Sequence, residues 1–118
     1  MHLVAFVGTD KENWGQITAL INRMECEHIV LVVNSTVNDF PKSEKCSVVE
    51  VDNALPLLEL KKTLINDLKP QIGKEFEVAV SLASGTGKEH MALIAALLNI
   101  PVGIRLAVYT KQGVQIIT

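Results

Sequence analysis

Short unbroken apolar runs alternate with stretches of helical periodicity along nearly the whole chain. Leu3 to Val7 is the first run, and it ends in Gly8-Thr9-Asp10, as a strand buried on both faces would. Trp14, Ile17, Ile21 and Met24 then recur at the spacing of an amphipathic helix. Ile29 to Val33 predicts a second buried strand, followed by the loop Asn34 to Lys45 with Asp39 and Pro41 as turn residues. Cys46 to Val51 predicts a third strand. A second helix follows Asp52-Asn53, carries Leu57, Leu60, Leu64 and Leu68, and is expected to stop near Pro70.

Glu75 to Leu82 predicts the fourth strand. Thr86 to Asn99 predicts a third helix, apolar almost all round from Met91 to Leu98 and so expected to be buried. Pro101 to Tyr109 and Val114 to Ile117 read as two closing strands joined through Lys111-Gln112-Gly113. Strands alternating with helices imply right-handed crossovers and a mostly parallel sheet. Residues 1–118 therefore predict one α/β domain, a Rossmann-like doubly wound sheet with a C-terminal hairpin.

Composition narrows the function. With 118 residues, 48% hydrophobic and 20% charged, the chain suits one globular domain with a real core. Its formal net charge of −2 argues against broad binding to nucleic-acid duplexes, and 4% aromatics leave no base-stacking platform. Cys26 and Cys46 form no CxxC pair, and His2, His28 and His90 are scattered, so sequence spacing supports neither a metal site nor a cofactor. Leu3 to Val7 is too short for a signal peptide and no apolar run has the length of a membrane span, so the expected location is the cytoplasm.

The chemistry concentrates where the fourth strand meets the third helix, at Ser84-Gly85-Thr86-Gly87-Lys88. A helix start offers unpaired N–H groups and the positive end of its dipole. Glycines allow close backbone approach, and a lysine adds a full charge, a combination suited to phosphate. Two named patterns fail. Leu82 stands where a Walker A loop needs its first glycine and Glu89 follows Lys88, while His90 stands where a Rossmann dinucleotide fingerprint needs its third glycine. A helix-capping turn with a solvated lysine is the alternative reading of the same residues. Gly8-Thr9-Asp10 after the first strand is a second small polar turn, and doubly wound sheets bind ligands at such turns where strand order reverses. Thr9 and Asp10 are equally suited to capping the first helix.

Val7-Gly8-Thr9-Asp10 together with Leu82-Ala83-Ser84-Gly85-Thr86-Gly87-Lys88-Glu89-His90-Met91-Ala92, and the closing Ile100-Pro101-Val102 to Tyr109 segment, resembles the CARF family, the CRISPR-associated Rossmann-fold domains. The resemblance implies a homodimer in which two copies of both loops surround a cyclic oligoadenylate, usually cyclic tetra-adenylate. It implies ligand binding by Gly8, Thr9, Asp10, Ser84, Gly85, Thr86, Gly87 and Lys88. Members usually carry an effector domain, so the 118 residues are expected to be either the sensor part of a transcription regulator or nuclease, or a stand-alone domain that cleaves the ring. In the second case the cleavage is metal-independent. A ribose 2′-hydroxyl attacks the adjacent phosphorus, with Lys88 stabilising charge and Thr9 and Ser84 positioning the substrate. A ligand-free interaction domain is the third expectation.

Overall fold

A computed structural model describes residues 1–118. Six strands form one sheet: β1 (His2–Val7), β2 (Ile29–Asn34), β3 (Cys46–Val51), β4 (Glu77–Ser81), β5 (Gly103–Thr110) and β6 (Gly113–Ile116). Their order is β3-β2-β1-β4-β5-β6, parallel throughout except for the antiparallel β5–β6 pair. Three helices complete the fold: α1 (Trp14–Arg23), α2 (Leu57–Ile72) and α3 (Gly87–Leu98). No helix is long and apolar enough to cross a membrane.

The period of two along the central strands divides the core between the two faces of the sheet. Val4, Phe6, Val30, Val32, Val78 and Val80 point to one side and meet Leu60, Leu64, Leu68, Leu93 and Leu97 of α2 and α3. Leu3, Ala5, Val7, Ile29, Leu31 and Val33 point to the other and meet Ile17 and Leu20 of α1. Helices on both faces make the sheet doubly wound, as the alternating pattern predicts. The β2–β3 crossover contains no helix. Val37 and Phe40 of that loop are buried on the α1 side instead, with Phe40 set edge-on to Trp14.

The second helix ends close to the expected stop at Pro70, two residues on at Ile72, and the reading of the third helix is corrected. Proline inside a helix costs roughly 3 kcal/mol, but Pro70 is exposed in the last turn, and carrying the helix on buries Ile72 completely. Burying an isoleucine contributes about 1.5–3 kcal/mol, enough to offset most of that loss. The third helix is not buried all round. Ala92, Leu93, Ala96 and Leu97 are inside, whereas Met91 and Leu98 are 59% and 73% exposed. The helix runs alongside α2, so only its inner side meets the core and one apolar flank faces solvent.

Candidate functional site

In this strand order the chain leaves β1 toward β2 on one side, and later returns to place β4 on the other. The reversal lies between β1 and β4, whose residues pair directly from His2–Val78 to Ala5–Ser81. The turns after these strands therefore lie side by side at the carboxyl ends, where doubly wound sheets take ligands.

Asp10 joins the two turns. Its Oδ1 accepts hydrogen bonds from the Ser84 hydroxyl at 2.6 Å and the Gly85 N–H at 3.0 Å. Its Oδ2 accepts from the side-chain amide of Asn13 at 2.7 Å. The Ser84 oxygen in turn accepts from the Gly8 N–H at 2.9 Å. Partial burial pushes the Asp10 carboxyl up, but the hydrogen bonds from Ser84, Asn13 and Gly85 outweigh it and hold the group below the usual aspartate range. Trp14 of α1 adds a further tie, its indole N–H donating to the Gly8 carbonyl at 2.9 Å.

The two glycines at the junction leave no room for a side chain. A β-carbon on Gly8 would lie 2.8 Å from the Gly85 Cα. Gly85 itself has φ of +107°, and a β-carbon there would lie 2.8 Å from the Phe6 ring. Gly87 differs, with open space around it and an ordinary helical start.

Thr86 is the N-cap of α3. Its hydroxyl accepts from the Glu89 N–H at 3.2 Å, while the Glu89 carboxylate accepts from the Thr86 N–H at 2.8 Å, a reciprocal capping box. Glu89 is only 2% exposed and lies beneath the turn, its other oxygen facing the Asn34 amide of β2 at 3.5 Å. His90 Nε2 donates to the Ser84 carbonyl at 2.6 Å, and its ring packs edge-on to Phe6. The N–H groups of Gly87 and Lys88 have no acceptor within the chain. Lys88 is exposed, and its ammonium donates to the Asn53 carbonyl at 2.7 Å, linking α3 to the β3–α2 connection.

The structure thus brings Gly8, Asp10, Ser84 and Gly85 into direct contact, with Thr86, Gly87 and Lys88 continuing along the same rim. Thr9 is exposed and its hydroxyl forms no hydrogen bond within the chain. Ser84 is 0% exposed and its hydroxyl is engaged on both sides, so it holds the turns together and is not presented to solvent. Asp10 occupies the N-cap position of a short 3-10 turn, Lys11–Asn13, yet its side chain caps nothing there. The expected helix-capping role is replaced by the bridge to the second turn, because Ser84 and Gly85 present two donors to one carboxylate oxygen. The sequence reading missed Glu89, His90, Asn34 and Asn13. Thr86-x-x-Glu89 carries the capping-box signature, whereas nothing local marks Asn34 or Asn13.

The fold defines a Rossmann-like, doubly wound α/β domain with two tied turns at its topological switch point. Comparison with protein-family models and with curated proteins finds no match for this chain.

Proposed function

We propose that this chain is a CARF-like domain that binds a cyclic oligoadenylate, most simply cyclic tetra-adenylate, as a homodimer in type III CRISPR antiviral signalling. One observation supports this reading above the others. The rim of the second turn presents two unbonded N–H groups and the Lys88 ammonium, while both nearby carboxylates are turned inward into hydrogen bonds. Glu89, which would repel a phosphate if it faced the rim, lies buried under it. Such a surface suits a phosphodiester.

A second copy also accords with the shape of the site. None of the surface hollows of the single chain is lined by residues 8–10 or 84–88, so one protomer offers a shelf. Met91 and Leu98 on the outer flank of α3, with half-buried Ile104 and Leu106 of β5, supply apolar surface for a two-fold contact. Sedimentation at micromolar concentration is expected to show a dimer, and a monomer would contradict this arrangement.

The direct test is incubation with labelled cyclic tetra-adenylate without metal. Retention of the intact ring is the expected result. Linear products would make the domain a ring nuclease, and no association would leave an interaction domain. Lys88→Ala is expected to weaken binding by about 1.5–3 kcal/mol per site, the range for a hydrogen bond to a charged group. Its melting temperature should barely move, because the side chain is exposed and bonds only one loop carbonyl. Unchanged affinity in calorimetry would remove Lys88 from the site.

A further inference from the structure

At the opposite end of the sheet, three segments distant in sequence bring together an imidazole and two carboxylates. His2 opens β1, Glu27 lies in the connection before β2, and Glu75 lies in the connection before β4. His2 Nδ1 stands 3.0 Å from Glu75 Oε1 and 3.7 Å from Glu27 Oε2. All three donor atoms lie within 4.8 Å of one another.

The imidazole nitrogen is the informative atom. It is shut off from water and has no hydrogen-bond partner, because the nearby Glu75 oxygen is not aligned to receive an N–H. A buried polar atom without a partner is costly to the fold. An imidazole nitrogen with two carboxylate oxygens close beside it is a donor set that a metal ion would use. The ring is held in place: His28 packs edge-on to it with centroids 5.5 Å apart, and His28 is itself fixed by Ser47 at 2.9 Å. Glu27 keeps one oxygen on the Met1 amino group at 2.9 Å and turns the other toward His2.

We propose that His2, Glu27 and Glu75 form a binding site for a divalent transition-metal ion, with zinc the best fit. One nitrogen and two oxygen donors match the borderline character of zinc. Bonds of about 2.0–2.1 Å in a tetrahedron place ligand atoms about 3.3 Å apart. The observed 3.0 and 3.7 Å lie on either side of that value, and the exposed Glu27 side chain has freedom to adjust. Three protein ligands leave the fourth position to water. The site ties the starts of β1 and β4 together at the end of the sheet remote from the two tied turns, so it is independent of the oligoadenylate reading.

The test is titration of the chelator-treated, dialysed protein with zinc chloride against a chromophoric chelator, with cobalt(II) as a spectroscopic probe. Expected are one zinc per chain and the visible absorption of a tetrahedral cobalt site. His2→Gln and Glu75→Gln should each weaken zinc binding by more than about tenfold, the loss that follows when even an outer partner of a ligand is removed. Glu50→Gln, an exposed carboxylate on β3, should bind zinc like the unaltered protein. Metal-free melting of each variant reports whether it is folded, and Glu27→Gln provides a second probe on an exposed side chain. Absence of the cobalt spectrum, or equal zinc affinity across all the variants, would overturn the proposal and leave a close contact between a histidine and two carboxylates.

Discussion

Gly85→Ala is expected to destabilise the protein by about 2–6 kcal/mol, whereas Gly87→Ala two residues on should leave it unharmed. At Gly85 two penalties combine. The positive φ places a β-carbon in strained backbone, worth roughly 1–3 kcal/mol, and that β-carbon would lie 2.8 Å from Phe6 and 3.1 Å from His90. Overpacking against a buried ring adds about 1–3 kcal/mol. Phe6 is fully buried in the central strand and has no space to move into. Gly87 opens α3 with nothing near its missing side chain, so alanine there should be neutral or stabilise by up to about 1 kcal/mol. Urea denaturation of the two variants makes the comparison directly. Similar midpoints would show that the turn does not hold Gly85 in the left-handed region.

Asp10→Ala is the second large effect, with an expected loss of about 1.5–3 kcal/mol at neutral pH. The substitution strands the Ser84 hydroxyl, which is fully buried, and the Gly85 N–H. Ser84→Ala should cost a similar amount. The double variant should cost clearly less than the sum, because both changes break the same bridge. The pH dependence follows from the depressed Asp10 pKa. A carboxyl whose folded pKa lies below its unfolded value of about 3.9 stabilises the native state above that value. That contribution is lost as pH falls through the folded pKa. The stability gap between the unaltered protein and Asp10→Ala should therefore be constant near neutrality and close in acid. A gap that did not change down to pH 2 would show that the hydrogen bonds act on a neutral side chain.

The strands were legible because β1, β2 and β4 are covered on both faces, so each is a continuous apolar run with polar turn residues at its end. The two turns were legible as well, since composition alone marks Gly8-Thr9-Asp10 and Ser84 to Lys88. What joins them was not. Asp10 and Ser84 are 74 positions apart, and no local pattern says that a carboxylate will find its donors across the sheet and not in its own helix. Gly85 and Gly87 look alike in the sequence; only the packing of the turn against Phe6 sets one at positive φ and leaves the other in open space. The same limit hid the His2, Glu27 and Glu75 cluster, whose members share neither a helix face nor a strand. Pro70 marked the end of the second helix to within two residues, the helix running on only as far as the buried Ile72.

The central place of β1 has a kinetic consequence. Its left-hand neighbour, β2, follows after one helix, but its right-hand neighbour, β4, is synthesised some seventy residues later. A nascent chain can assemble β1, β2 and β3 while β1, an almost wholly apolar strand, still has an open edge. Closing that edge requires a long loop to be gathered before any contact rewards it, which slows folding and lengthens exposure to intermolecular pairing. The Asp10–Ser84 bridge spans the same interval and forms only once β4 has docked, so it should strengthen resistance to unfolding more than it speeds folding.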